Sequence, residues 1–399
     1  MTRPSPRRPP LQLYLHVLLD LLGFGLLLPL LPFWIRDQGS GAIELGLVLS
    51  AYSAMQFLAS PLLGRLSDRV GRRPVLLLCL GVSGMSMILV SLAHSVWLVC
   101  VARAVAGSFG GTIATAQCYV ADTTDEADRT RWLGLLGAAI GVSFVLGPGL
   151  GVACVALGLG LNQVAGVGAV LAAVNWVACL VGLKESPHLE ARNQAASPLE
   201  RLQLTGYRSA VRLLLLSNFL MTGTFVTLET AFPFFGADRF DLDASGFGLV
   251  MFGMGMVLVV VQGGGVARLS SRWGDRTVAL AGAVAMASAL IGLLPASSLW
   301  VSLPPLVLLA LGRGLVTPTL TSMLSRAAPA ERRGAVIGTY QSMASAARAV
   351  IPIAAGLLYE VGATWPFVFG SVLAGLTWFA VARVGLPASV PLSEAGEGR

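Results

Sequence analysis

Five charged side chains lie inside long apolar stretches of the sequence. They are Asp20, Arg103, Glu229, Arg313 and Arg348. A charge at the centre of a membrane-spanning helix costs about 2.5 to 3.5 kcal/mol on insertion scales, so such residues are normally retained for a function. Three arginines and two carboxylates cannot all pair one to one, and the excess of arginine leaves room for an anionic solute.

Asp20 is the residue best suited to carry a proton. It lies nine residues past the start of an apolar stretch at residue 11, about 14 Å along a helix and near the midplane of a membrane. Burial favours the protonated form of a carboxyl group and a nearby arginine favours the ionised form, so one group can bind a proton in one conformation and release it in another. We expect Asp20 to be the first proton site, Glu229 the second and Arg103 the modulator. A static salt bridge is the alternative for each acid.

His16 precedes Asp20 by one helical turn on the same face and could share its proton. A histidine near a helix end is more often only interfacial, and we favour that interpretation. Further polar and aromatic residues of the apolar stretches are candidates for the wall of a central cavity. They are Tyr52, Gln56, Asn218, Thr222 and Gln341, together with Arg313 and Arg348. Each of them could instead form an ordinary hydrogen bond between helices.

The composition is that of a chain dissolved in lipid. Hydrophobic residues make up 55% of 399 positions and charged residues 12%, and the mean hydropathy is +0.77. Backbone amides in hydrocarbon must be paired within their own segment, so each stretch of about 20 apolar residues predicts a helix. Twelve such stretches cover residues 11–34, 42–63, 74–93, 97–118, 132–154, 163–183, 211–234, 246–267, 277–297, 301–325, 334–358 and 364–384.

The basic residues are distributed unequally between the two sides of this arrangement. If the amino terminus is cytoplasmic, the segments on that side hold 22 of the 27 lysines and arginines, and the opposite side holds two. The positive-inside rule therefore predicts that both termini are cytoplasmic. The asymmetry also accounts for the net charge of +7 without a nucleic-acid partner.

An internal repeat divides the chain. Residues 64–75 align with 267–278 at an offset of 203, and seven of the twelve positions are identical. We therefore predict an all-α integral membrane protein whose 12 transmembrane helices form two parallel six-helix halves. The boundaries are 1–183 for the first half, 184–210 for a cytoplasmic loop and 211–399 for the second half with a short tail. Parallel repeats of this kind rock against each other around a central site.

Four segments resemble signatures of the major facilitator superfamily. They are 64–73 between helices two and three, 20–25 with Pro29 in helix one, 103–107 in helix four and 147–151 in helix five. Together they are most similar to its 12-helix drug:proton antiporters of the tetracycline-resistance type. The helix-five segment departs from that pattern, because Ser143 and Val152 occupy two of its glycine positions.

Two of these segments have a mechanical interpretation. An acid at a helix end, Asp68, could pair with Arg72, Arg73 or a charge beneath helix eleven in one transporter state and separate in the other. The alternative is that the arginines only enforce topology. The predicted cytoplasmic gate comprises Gly64, Asp68, Arg69, Gly71, Arg72 and Arg73, and the predicted helix-five kink comprises Gly147, Pro148 and Gly151.

The resemblance and the buried charges together predict a secondary transporter that exports small amphipathic or drug-like molecules in exchange for protons by alternating access. Its partners would be the substrate, protons and the lipid bilayer of the plasma or inner membrane, and we expect a monomer to be functional. We predict no cofactor, no metal site and no enzymatic activity, because the sequence has neither a phosphate-binding Gly-rich loop nor clustered histidines. Two alternatives remain: a metabolite uptake symporter or facilitator, and a non-transporting receptor or scaffold with a transporter fold.

Overall fold

The computed structural model describes residues 9–124, 126–186, 209–328 and 333–384, and these are helical and contain no strand. Within these residues, twelve helical spans are long and apolar enough to cross a membrane, which confirms the predicted number. We number them in chain order: α1 Leu11–Asp37, α2 Ala42–Val70, α3 Arg72–Ser91, α4 Val96–Thr123, α5 Arg131–Ala156, α6 Leu161–Gly182, α7 Ser209–Phe240, α8 Ala244–Trp273, α9 Asp275–Leu293, α10 Leu299–Ala327, α11 Val336–Val361 and α12 Trp365–Ala382.

Several helices continue beyond the apolar stretches that predicted them. The α2 helix ends at Val70 rather than 63, and α7 ends at Phe240 rather than 234. An apolar window detects only the part of a helix that suits hydrocarbon, whereas the hydrogen-bonded backbone continues into polar surroundings. The charged residues near these ends therefore lie on helices rather than in loops.

Three spans are interrupted. The α1 span breaks at residues 28–30, where Pro29 removes a backbone donor, and α4 breaks at residues 109–111. In α8 a π-helical turn occupies Val261–Gly265, and Gly264 leaves the helical conformation. Each interruption divides its helix into two segments, which are of similar length in α4 and of unequal length in α1 and α8.

The same local structure recurs in both halves at the offset of the sequence repeat. Ser95 caps α4 by accepting a hydrogen bond from the amide of Leu98, and Ser298, 203 residues later, caps α10 by accepting one from Val301. The turn between α2 and α3 contains Gly71 with φ of 101°, and its counterpart Gly274 has φ of 76°. Only glycine adopts such angles readily.

Helices α1 to α6 and α7 to α12 pack mostly among themselves, and they meet along two seams formed by α2 with α11 and α5 with α8. A Cβ atom on Gly46 would collide with the carbonyl of Pro352, and one on Gly356 would collide with Ala42, so small residues permit the first seam. The predicted loop over 184–210 falls largely outside the described residues. The domain boundaries therefore stay a prediction.

Candidate functional site

Asp20 lines a small cavity among α1, α2, α3 and α4. Ser83 and Thr112, which carry hydroxyl groups, line the same cavity. The remaining lining is Leu21, Phe24, Tyr52, Cys79, Met87, Arg103, Ala106, Phe109 and Gly110. The predicted proton site is thus in a small enclosed space that combines two hydroxyl donors with apolar and aromatic walls.

Arg103 lies in the same cavity and is only 3% exposed. The central carbon of its guanidinium is 4.1 Å from the ring centre of Phe24 and 4.3 Å from that of Tyr52. Gln56 holds Tyr52 by donating to its hydroxyl at 3.3 Å and donates to the carbonyl of Gly110 at 2.8 Å. Aromatic faces stabilise the charge of Arg103 at a depth where water is scarce.

Glu229 lines a second small cavity, which lies between the two halves. Its other walls are apolar and come from α1, α2 and α8: Leu28, Leu31, Pro32, Leu45, Leu49, Phe247 and Met251. The α7 helix carries Glu229. It is the most enclosed of the described spans, because 78% of its most apolar segment is buried. The other lining residues of this cavity offer the carboxylate no polar side chain.

Arg313 and Arg348 approach Glu229 from α10 and α11. The guanidinium of Arg313 lies 3.5 Å from the ring centre of Phe225, and both arginines interact electrostatically with Glu229. Arg348 is exposed although it lies midway along α11. Tyr52 lines the Asp20 cavity and its ring lies against the guanidinium of Arg103.

The central charges do not form ion pairs with one another. In the part of the chain that the structure describes, the ion pairs are Arg36–Asp238, Arg72–Asp68, Arg72–Asp122 and Arg326–Asp275. The static salt bridge that the sequence left open for Asp20 and Glu229 is therefore absent among the described residues. Charged groups that stay unpaired in a membrane interior are typical of ion and substrate pathways.

Other predicted residues belong to helix packing. The Nδ1 atom of His16 is 2.7 Å from Oδ1 of Asn175, and the amide of Asn175 donates to the carbonyl of His16 at 3.0 Å. The ring of His16 is therefore bound to α6 rather than to Asp20. Asn218 donates to the carbonyl of Tyr340 at 2.6 Å, and Thr222 is buried, whereas Gln341 is exposed.

The predicted gate residues form a network at the end of the molecule where α2 ends and α3 begins, which we call the terminal end. Arg72 bonds to Asp68 at 2.6 Å, to Asp122 at 2.7 Å and to Ser67 at 2.9 Å. Of the three partners proposed for Asp68, the structure selects Arg72. Arg69 is exposed, and a Cβ atom on Gly64 would meet no atom within 4 Å.

Glu185 completes this network and was missed by sequence reasoning. Its carboxylate accepts hydrogen bonds from the backbone amides of Arg72 at 2.8 Å and Arg73 at 3.2 Å. Carboxylates are favoured at the positive end of a helix, and α3 begins here. A Cβ atom on Gly71 would lie 2.7 Å from the same carboxylate, so the glycine is required for this contact. In the sequence, Glu185 could have been recognised as an acid that follows shortly after the sixth apolar stretch.

The second half contains the same bridge with its charges exchanged. Asp275 pairs with Arg326 and accepts a hydrogen bond from Ser322 at 2.6 Å. Asp275 corresponds to Arg72 at an offset of 203, and Arg326 corresponds to Asp122 at an offset of 204. The bridge therefore persists in both copies although its polarity differs.

The predicted kink residues of α5 allow that helix to approach α1 closely. A Cβ atom on Gly147 would lie 2.6 Å from the Cα of Gly25, and one on Gly151 would lie 2.7 Å from the carbonyl of Leu26. Ser143, at a position where the resemblance expects glycine, donates to the carbonyl of Leu18 at 3.0 Å. Pro148 lies inside a helix that continues from Glu126 to Ala156, and the kink stays a prediction.

The opposite end of the molecule, which we call the distal end, is closed by contacts between the halves. Arg36 of α1 pairs with Asp238 of α7 at 2.9 Å, and the hydroxyl of Tyr359 donates to Asp238 at 2.7 Å. The ring of Tyr359 also lies 5.9 Å from that of Phe234. Sequence reasoning missed this network because its members come from three distant segments.

The chain matches the family model described as Major Facilitator Superfamily over residues 13–352 and 265–399. It is 33% identical over 377 residues to the class C tetracycline resistance protein of Escherichia coli, covering 93% of this chain and 92% of that protein. It is 30% identical to the class D tetracycline resistance protein of Salmonella ordonez, covering 94% of this chain and 96% of that protein. The solved structure of the human organic anion transporter MFSD10 matches with a TM-score of 0.72 and 28% identity, covering 95% of this chain and 100% of that one.

Proposed function

Because the chain belongs to the Major Facilitator Superfamily, we propose that it exports small amphipathic molecules in exchange for protons, with Asp20 as the main proton site. Membership makes the chain a multi-pass membrane transporter of the cell membrane and not an enzyme. One observation carries the proposal: Asp20 lines a cavity, forms no ion pair among the described residues and lies beside two hydroxyl groups.

The surroundings of Asp20 suit both of its protonation states. A hydroxyl group can donate to an ionised carboxylate and can accept from a protonated one, so Ser83 and Thr112 serve either form. Burial favours the neutral acid, and a guanidinium that turns toward it favours the ionised acid. Arg103, in the same cavity, is the group whose movement would switch between these states.

Alternating access would use the two ends of the molecule in turn. The Arg36–Asp238 pair and the seams between the halves close the distal end, whereas the ion pairs described at the terminal end join residues within one half. We propose that the terminal end faces the cytoplasm, because it holds most of the basic residues. The Asp68–Arg72 network would then stabilise the cytoplasmic gate in one of the two states.

The proposed substrates are small organic molecules with apolar and polar parts. The names of the relatives mention tetracycline resistance and organic anion transport, and the cavities combine aromatic, methionine and charged walls. Of the predicted cavity residues, Tyr52 lines the Asp20 cavity and Gln56 donates to its hydroxyl group. A single chain contains both cavities, which supports a functional monomer.

Reconstitution into vesicles with an imposed pH gradient tests the proposal. We expect a panel of fluorescent amphiphiles to move against their own gradient only when the proton gradient drives exchange. Asp20→Asn should abolish the response to the pH gradient, because an amide cannot exchange a proton. Asp243→Asn is the matched control: Asp243 caps α8 through Gly246 at 2.7 Å, and asparagine caps a helix equally well.

Each alternative has its own outcome in this assay. Dye movement that ignores the pH gradient, or that Asp20→Asn leaves unchanged, would refute the proton site. Dye that enters together with protons would support the uptake alternative. If wild-type protein moves no member of the panel, the receptor or scaffold alternative gains support.

A further inference from the structure

Arginines lie over aromatic rings at six places in the described part of the chain, and two of these places differ from the rest. Four are at helix ends, where the side chain reaches the membrane surface: Arg131, Arg239, Arg272 and Arg383. The other two, Arg103 and Arg313, lie within the membrane-spanning region. A cation at that depth is energetically costly, so it is normally retained for a function.

The two deep contacts are built alike. Each joins the fourth helix of a half to its first helix: Arg103 with Phe24, and Arg313 with Phe225. They are not at the same depth, because Arg103 comes eight residues after the cap Ser95 and Arg313 comes fifteen after Ser298. Seven residues are about two helical turns, so the second contact is on the same face of its helix.

Both deep guanidinium groups have unused hydrogen-bond donors. The Nε atom of Arg103 and an Nη atom of Arg313 are buried and have no partner among the described residues. Arg239 provides the contrast, since it lies over Phe235 and also donates to the carbonyls of Leu294 and Ala296. A ring face attracts the charge of a guanidinium but leaves most of its five N–H groups free.

The charge balance favours an anion as the missing partner. Asp20 and Glu229 are near the arginines but form no ion pair with them among the described residues. Arg348 adds a third positive charge and interacts electrostatically with Glu229 and Tyr52. Guanidinium groups bind carboxylates through two parallel hydrogen bonds, and such bonds are strong where water is scarce.

We propose that the Phe24–Arg103 and Phe225–Arg313 contacts are two anion subsites, each of which binds one carboxylate or sulfonate group of a transported molecule. The inference rests on the proposed function, because it specifies the substrate as an amphipathic organic anion. The phenylalanines are positioning residues: each ring holds its guanidinium in place and leaves N–H groups free to bind an anion. The apolar part of the substrate then contacts the aromatic and methionine walls.

Calorimetric titration of the full-length protein in detergent tests the subsites without requiring transport. The probes are naphthalene-2-carboxylate and naphthalene-2-carboxamide, which have the same shape and differ in charge. We expect the carboxylate to bind at least tenfold more tightly. Arg103→Gln together with Arg313→Gln should reduce this ratio to about one without changing amide affinity. Phe24→Leu together with Phe225→Leu should reduce carboxylate affinity three- to tenfold. These ratios follow from the strength of charge-assisted and cation–π contacts.

Three controls keep the result interpretable. Arg383→Gln removes an arginine that lies 4.2 Å from the ring centre of Phe379 at a helix end, and it should preserve the ratio. Retained amide binding and a single gel-filtration peak report that each variant is folded. Arg313→Lys keeps the charge but loses the planar fork, so it should give an intermediate affinity.

The inference is overturned if wild-type protein binds the carboxylate no more tightly than the amide, including the case in which neither binds. It is also overturned if the ratio survives the double arginine substitution in folded protein. The proposed function can fail separately: a normal carboxylate preference with dye movement that ignores the pH gradient would leave the subsites standing and remove the proton coupling.

Discussion

The charged residues of this protein differ most in whether their side chains have hydrogen-bond or ion-pair partners. At the terminal end, Arg72 has three side-chain partners, whereas Arg103 in the membrane interior rests on two rings and keeps a buried nitrogen unpaired. A satisfied arginine contributes to the fold, and an unsatisfied one is available to a ligand. The contrast separates structural charges from those of the proposed transport site.

The two terminal bridges should differ in strength. Arg72→Ala would leave Asp68 and Asp122 without their cation in a setting where the arginine side chain is only 10% exposed, so we expect a loss of up to about 3 kcal/mol. Arg326→Ala removes a side chain that is 60% exposed and leaves Asp275 bonded to Ser322, so it should cost about 1 kcal/mol or less. Thermal unfolding in detergent, followed by tryptophan fluorescence, compares the two variants. Equal losses of stability would contradict this assignment.

The sequence predicted the charged residues of the proposed site and Tyr52, but not its two phenylalanines. Asp20 and Arg103 were recognisable because charges are rare in apolar stretches. Phe24 and Phe225 were not, because they are two of 16 phenylalanines and no spacing marks which ring lies beside a guanidinium. Ser83 and Thr112 were missed for a similar reason, since hydroxyl groups commonly bond to their own helix in membranes.

Among the helices, α8 has the clearest point of flexibility. Its π-turn contains Gly263, Gly264 and Gly265, and a Cβ atom on any of them would meet no atom within 4 Å. Close packing therefore does not explain this run of glycines. The position of α2 that corresponds to Gly264 at the repeat offset of 203 is Pro61, so both helices carry a helix-weakening residue there.

Replacing the three glycines with alanine should stiffen α8 without causing a clash. Each substitution favours the helix by up to about 1 kcal/mol, so we expect unchanged or higher thermal stability together with several-fold slower transport. The matched control is Gly147→Ala, where a Cβ atom would lie 2.6 Å from Gly25 and should destabilise the protein. Unfolding temperatures and initial rates in vesicles measure both effects. An unchanged rate in the triple variant would show that α8 does not bend during transport.

Apolar stretches were enough to predict the number and order of the helices, but not their interruptions. The break of α1 follows from Pro29, which the sequence displays. The π-turn of α8 could not be foreseen, because glycines in membrane helices more often mark close contacts than irregular backbone. Only the packing around Gly263 to Gly265 distinguishes the two cases.

The whole molecule is closed at its distal end, and one ion pair joins the two halves there. Arg36 and Asp238 are both about half exposed, so the pair contributes about 1 kcal/mol at most. A contribution of this size can be lost and regained readily. It is therefore suited to bias an equilibrium between two transporter states rather than to fix one of them.

Reversing the charge at Arg36 should shift this equilibrium. Arg36→Asp places two carboxylates together and should increase the accessibility of the Glu229 cavity from the distal side about two- to fivefold. The measurement is labelling of Met251→Cys, which lines that cavity, by a membrane-impermeant maleimide. The double variant Arg36→Asp with Asp238→Arg should restore the original labelling rate. Labelling that is insensitive to both changes would mean that the pair has no role in closure.

The exchanged polarity of the two terminal bridges also affects how the chain assembles. Helix α3 belongs beside α4 and α9 beside α10, but the repeat makes each partner resemble the other. If α3 instead paired with α10, Arg72 would meet Arg326, and if α9 paired with α4, Asp275 would meet Asp122. Both exchanges bring like charges together. The opposite polarity of the two bridges therefore disfavours incorrect pairing between helices of the two similar halves while the chain inserts into the membrane.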